Sequence, residues 1–156
     1  KINTSATMKK IDIISGYFNP LHIGHMHYIR EAQKLGDFLV VIVNNDEQVK
    51  IKKSISFLSE NERVEIIKTI RYVDEVFLSI DKDESVANSL EAVANKYQGQ
   101  LILARGADKN ADNVPESEKQ FCKKFGIETV YGVGDKKIQS SSWLLENVIK
   151  KNRFNS

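Results

Sequence analysis

The stretch Phe38-Leu39-Val40-Val41-Ile42-Val43 constrains this chain more than any other. It is an unbroken apolar run rich in β-branched residues, with no polar alternation. A strand of that kind is buried on both faces, as parallel strands covered by helices are. Further runs with strand character lie at Ile11–Ser15, Tyr72–Ile80, Gln100–Ala104 and Ile127–Tyr131, with helical patterns between them. The alternation predicts an α/β fold: an open, mostly parallel five-stranded sheet with helices on both faces and ligands at the carboxyl ends of the strands. A length of 156 residues suits one domain with one sizeable core.

The helical segments carry their own punctuation. Gly24–Leu35 places Met26, Ile29, Ala32 and Leu35 at three-to-four spacing after Ile23, with Gly36 as the stop. Ser59 and Glu62 form a capping-box pattern for a helix running to Arg71, with Val64, Ile67 and Ile70 inward. Asp83–Tyr97 carries the stripe Val86, Leu90, Val93 and Ala94. Pro115 suits the first position of a helix ending near Gly126. Ser140–Ser142 caps a last helix containing Trp143, Leu144, Leu145, Val148 and Ile149. Asn44–Phe57, with Lys50, Lys52 and Lys53, reads as a mobile polar loop, Arg105–Val114 as a polar loop and Gly132–Gln139 as a loop. The domain is expected over residues 8–150, with residues 1–7 a leader or expression scar and Met8 a natural start.

The chemistry concentrates between the first strand and the first helix, in Gly16–His25, GYFNPLHIGH. A strand that ends at a glycine turn and opens a helix makes a phosphate site, because the helix start offers N–H groups and partial positive charge. His22 and His25 sit three residues apart at that start, where imidazoles can donate to phosphate oxygens.

Composition excludes several classes. A net charge of +2 gives no nucleic-acid-type basic surplus. One cysteine, Cys122, allows no intrachain disulfide and points to a reducing compartment, read as the cytoplasm. No apolar run approaches the ~18 residues of a membrane span. No G-x-G-x-x-G follows the first strand, which sets aside a dinucleotide-binding redox domain.

His22-Ile23-Gly24-His25 resembles the HxGH motif of the nucleotidyltransferase superfamily, whose members have a single Rossmann-like α/β domain. Leu35-Gly36-Asp37-Phe38-Leu39-Val40-Val41, Asp46-Glu47, Glu62-Arg63 and Ile70-Arg71-Tyr72-Val73-Asp74-Glu75-Val76 are similar to the bacterial glycerol-3-phosphate cytidylyltransferase pattern. Ile138-Gln139-Ser140-Ser141 resembles that family's ISTT segment, and Arg105-Gly106-Ala107-Asp108 the GGD or GDD loop of cytidylyltransferases and heptose-phosphate adenylyltransferases. Two departures leave the base open. Gly134-Asp135-Lys136-Lys137 stands where an arginine and a threonine are usual, and Asn19-Pro20 is nearer the FNP variant of adenylyltransferases such as those acting on nicotinamide mononucleotide.

The resemblance implies in-line nucleotidyl transfer: an acceptor phosphate oxygen attacks the α-phosphorus of a nucleoside triphosphate and pyrophosphate leaves. It implies catalytic roles for His22, His25, Lys52 and Arg71. It implies nucleotide contacts from Gly16, Tyr17, Phe18, Gly24, Gly106, Asp108, Ser140 and Ser141, and acceptor contacts from Asn19, Arg63 and Arg71. Mg²⁺ is expected on the phosphates through waters, with no protein metal ligand, and a homodimer is the expected assembly. The first reading is CMP transfer from CTP to a small phosphorylated alcohol or sugar. The alternative is ATP acting on a sugar- or nucleotide-like phosphate, and the second alternative is a non-catalytic nucleotide-binding module. Neither nucleic acid nor membrane is an expected partner.

Other polar and aromatic residues have plainer readings. Tyr17, Asn19, Asn110, Asp112 and Asn113 are candidates for an acceptor pocket. His27 reads as structural or surface, Trp143 as core, and Cys122 as a buried apolar residue with no catalytic role.

Overall fold

Phe38–Val43 is strand β2, and it lies inside the sheet as its apolar run requires. The computed structural model describes residues 9–134 and 140–154, so the expected domain start at Met8 and leader 1–7 fall outside them. In chain order the elements are β1 (Lys10–Gly16), α1 (Ile23–Ala32), β2, α2 (Asp46–Ile51), α3 (Glu60–Lys68), β3 (Glu75–Leu78), α4 (Ala87–Lys96), β4 (Gln100–Gly106), α5 (Glu116–Phe125), β5 (Glu128–Val133) and α6 (Ser141–Phe154). The strand order is β3-β2-β1-β4-β5 and every pairing is parallel. The fold is therefore the single Rossmann-like domain expected. β1 sits at the centre, where the winding reverses, and its carboxyl end opens the crevice that such sheets use for ligands.

Side chains alternate across the sheet and divide the core in two. Ile11, Ile13, Val40 and Ile42 pack with Leu90 and Val93 of α4 and Cys122 of α5. Ile14, Leu39, Val41 and Val43 pack on the other face with Ile29 and Ala32 of α1 and Ile67 of α3. Each such fully buried aliphatic side chain contributes about 1.5–3 kcal/mol. Truncating Ile42 to alanine would open a cavity at a cost of about 2–5 kcal/mol.

Several boundaries differ from the sequence reading, each for a local reason. Asn44–Phe57 is not a loop throughout, because it contains α2. Asn45 accepts from the Gln48 N–H and Gln48 reaches back to the Asn45 N–H, a reciprocal cap. The Gln48 amide also donates to the carbonyls of Asp83 and Ser85, which ties α2 to the approach of α4. The helix expected to reach Arg71 ends at Lys68, where the Thr69 hydroxyl bonds the Ile66 carbonyl. Tyr72–Asp74 is not strand: the Asp74 carboxylate takes the Leu39 N–H that a strand backbone would take, while the Asp74 N–H donates to the Leu39 carbonyl just before β3 begins. α4 starts only at Ala87, capped by the buried Asp81 carboxylate, which accepts from the Asn88 and Ser89 N–H groups.

β4 and β5 run two residues further than expected, to Gly106 and Val133. Pro115 is the residue before α5, and Gly126 closes that helix in the left-handed conformation. α1 passes into a 3-10 turn at Gln33–Leu35 and Gly36 is extended, with no left-handed cap. The requirement for glycine there is spatial: a Cβ would meet the Lys10 carbonyl oxygen at 2.7 Å and Asp12 Oδ2 at 3.0 Å. Ile23 faces solvent rather than the core, and so does Trp143, at 42% exposure. Cys122 is buried as expected.

Candidate active site

β1 ends at Gly16, whose carbonyl accepts from the Asn44 N–H at 2.9 Å. The chain then turns through Phe18 in the left-handed region (φ 51°) and a cis Asn19–Pro20 bond. The Phe18 ring is driven back into the core beneath the turn, where it would lie 3.0 Å from a Cβ at Gly16. Glycine is needed at that position because the aromatic ring occupies the space. The expectation that Phe18 contacts nucleotide therefore applies to its backbone only.

His22 is the extended residue that caps α1. Its Nδ1 accepts from the Gly24 N–H at 3.1 Å, and His25 Nδ1 accepts from the His22 N–H at 3.2 Å. The two rings stack with centroids 3.8 Å apart, and Phe18 meets His25 edge-on at 4.9 Å. Both Nδ1 atoms act as acceptors, so each neutral ring carries its proton on Nε2. Burial, with the His22 ring beside it, lowers the His25 pKa to about 3. The pair is two neutral N–H donors at the positive end of a helix, which suits an anion that arrives with its own counter-charge.

A cavity of about 740 Å³ opens over this turn. Gly16, Tyr17, Gly24, His22 and His25 line its floor, and Lys52 lines one side. Lys52 Nζ rests 4.3 Å above the Tyr17 ring, and burial lowers its pKa, with Lys109 adding to the effect. Gly106, the last residue of β4, and Asp108 just beyond it also line the cavity. Ser140 and Ser141 close another side. Ser140 Oγ accepts from the Trp143 N–H as a helix cap, and Ser141 Oγ donates to the Pro20 carbonyl at 3.3 Å. The Ile138-Gln139 half of the ISTT-like segment, and Asp135–Lys137 before it, lie outside the described residues.

Arg63 and Arg71 lie outside the cavity, and Asn19 lines it with its side chain already engaged. Arg63 is fully buried: it donates to the carbonyls of Leu58, Tyr17 and Asn44 and pairs with Asp46 at 2.8 Å. Its guanidinium is engaged in holding the β1 turn, α2 and the 52–59 segment together, and is not presented to an acceptor. Arg71 is exposed outside the cavity, stacked 4.8 Å over the ring of Tyr72. Asn19 reaches the cavity wall, yet its amide is taken by the chain opposite. Nδ2 donates to the Ile55 carbonyl at 2.7 Å and Oδ1 accepts from the Phe57 N–H at 2.8 Å. Asn110, Asp112 and Asn113 bond within their own exposed turn and do not line the cavity.

Several lining residues fall outside the expected site set, among them Arg105, His27, Ile55 and Phe57. Arg105 reads from sequence as loop, but it is the penultimate residue of β4, at the cavity, ion-paired at 2.6 Å with the buried Glu118 of α5. The unbroken apolar approach Leu101–Ala104 could have carried the strand that far. His27 also lines the cavity rather than the free surface, as do Ile55 and Phe57. The last two had been absorbed into a segment read as polar.

A stacked histidine pair at the central switch point of a parallel sheet, facing a cavity flanked by lysine and serine, defines a nucleotidyltransferase of the HxGH superfamily. The chain belongs to the cytidylyltransferase-like family, whose family model matches residues 13–144. It is 43% identical over 116 residues to the FAD synthase of Pyrococcus horikoshii, covering 74% of this chain and 73% of that one. It is 46% identical over 72 residues to the FAD synthase of Thermococcus kodakarensis, a match spanning about half of each protein, 45% of this chain and 48% of that one. Among solved structures, the lipopolysaccharide core biosynthesis protein of Thermoplasma volcanium superposes with a TM-score of 0.65 at 27% identity, over 82% of this chain and 99% of that one.

Proposed function

We propose that this protein moves AMP from ATP to the phosphate of FMN, forming FAD and pyrophosphate. The cavity floored by the His22–His25 pair supports phosphoryl chemistry, and the FAD synthase relatives favour adenylyl over cytidylyl transfer and a flavin over a polyol or sugar. The CMP reading has no comparable support.

An FMN phosphate oxygen attacks the α-phosphorus of ATP. The bond from that phosphorus to the bridging oxygen breaks, and pyrophosphate leaves with the electron pair. No protein nucleophile is needed, so catalysis consists of positioning and charge stabilisation. His22 and His25 donate through Nε2 to oxygens that gain charge as the bond breaks. Lys52 leaves the Tyr17 ring and neutralises the triphosphate. Gly16, Tyr17, Phe18 and Gly24 offer backbone, Gly106 and Asp108 border the base, and Ser140 and Ser141 take terminal phosphate oxygens.

The described residues include no group of three or more His, Cys, Asp or Glu able to cage a metal. The donor set fits an ion carried in on the phosphates, such as Mg²⁺, which would supply added charge neutralisation. The homodimer and the cytoplasmic location belong to this reading. The first rests on the family resemblance. The second rests on the single cysteine, which suits a reducing compartment.

The test is chromatographic detection of FAD from FMN and ATP with Mg²⁺, with CTP in a parallel reaction. FAD formed from ATP supports the reading. A cytidylyl product and no FAD would replace it with the CMP reading.

A further inference from the structure

The segment after α2 inverts the usual order of burial. Asn19 and Arg63, both polar, are 4% and 0% exposed beneath it. Ile55 and Phe57, both apolar, are 54% and 42% exposed above it, and both line the cavity. The hydrogen bonds explain how this is held. Asn19 engages the backbone of Ile55 and Phe57, and Arg63 Nε donates to the Leu58 carbonyl at 3.2 Å. The loop is fixed by its backbone, so its apolar side chains stay outside when they could otherwise turn inward. Leaving two large apolar side chains in water forgoes the stabilisation that their burial would give.

From this arrangement we infer that Ile55 and Phe57 form the platform for the flat ring system of the acceptor. The inference rests on the flavin reading above and deepens it. An FMN-like acceptor carries a phosphate at one end and, at the other, a flat aromatic tricyclic ring whose faces and dimethylbenzene edge are apolar. The segment has the same polarity: Lys53, next to the Lys52 that serves the triphosphate, lines the cavity for the acceptor phosphate, and Ile55 and Phe57 follow within a few residues for the ring. Asn19 is a positioning residue that acts through the loop it holds.

The experiment titrates FMN, riboflavin and ATP into the full chain and into Ile55→Ser, Phe57→Ser and the double variant. Flavin anisotropy reads the first two ligands and melting temperature the third. In the double variant FMN and riboflavin should both weaken by about tenfold or more, while ATP affinity stays within about twofold. Phe57→Leu should restore most of the loss. Unchanged flavin affinity in the double variant overturns the platform and leaves the flavin reading standing. Equal loss of ATP and FMN also overturns it, because the loop then only supports the fold. A change of oligomeric state at constant flavin affinity would assign these side chains to a second copy of the chain instead. Wild-type protein that binds ATP but neither flavin overturns the flavin reading itself, and the platform with it.

Discussion

The rings of His22 and His25 stack 3.8 Å apart, and each turns Nδ1 back to a backbone N–H of the α1 start. The main chain thereby fixes the tautomer of both. Replacing either residue with alanine should lower FAD formation by about 100-fold or more, as loss of a donor to developing charge does in other sites. Full turnover in either variant would remove the assigned role. The same geometry sets a pH dependence. The folded pKa of His25, about 3, lies below its ordinary value of 6.5, so between these limits the unfolded chain binds the extra proton. The contribution from His25 is complete above about pH 6.5 and is lost as pH falls toward 3. His25→Gln should flatten that part of a urea-unfolding series.

Asp12 should bend the same series the other way. It is fully buried in β1, where, among the described residues, the Gly36 backbone N–H is the one polar group turned to its carboxylate and is too poorly aligned for a well-formed hydrogen bond. Burial raises its pKa from 3.8 to about 7; Asp37 adds to the rise, while the Gly36 backbone and Lys10 oppose it. Here the folded state holds the extra proton. The contribution is complete below about pH 3.8 and is lost as pH rises through 7. Asp12→Asn should erase that falling limb. Parallel pH profiles for variant and wild type would contradict the assignment.

Arg63→Leu tests whether that arginine serves the fold or the acceptor. Removing a buried charge that meets three carbonyls and Asp46 should cost about 3–5 kcal/mol, read from thermal or urea unfolding. Arg63→Lys should not rescue it, since an ammonium cannot span the same set of acceptors. A variant of wild-type stability with a raised KM for FMN would return Arg63 to the acceptor role.

Arg71→Ala should leave the KM for both substrates within about twofold. Its guanidinium lies outside the cavity, bonded through Nη2 to the Tyr72 hydroxyl. Exposed contacts of this kind are worth little. A large fall in kcat/KM would show that the residue moves to the site during turnover.

These placements show where one-dimensional reading succeeds. Phe38–Val43 and the His22–His25 spacing are local patterns, and each carried its element and its place at the crevice. Arg63 and Arg71 could not be separated that way. Each is a basic residue matching a family position, and only the long-range approach of Tyr17 and Asn44 shows that one is consumed by structure. α2 was legible in principle from Asn45 and Gln48, but its cap was masked by the lysines that follow. Ile55 and Phe57 were missed because an exposed apolar side chain has no periodic signature.

α6 has no buried residue, although its first turn supplies one wall of the cavity. The floor is welded to the central strands, whereas that wall is held with little apolar burial, as the low-stability parts of folds are. A ligand that touches both lends its own binding energy to the attachment of the helix. Occupancy of the site and seating of the C-terminal helix are then one coupled equilibrium. Slowed amide exchange along α6 would report a filled cavity without any probe inside it.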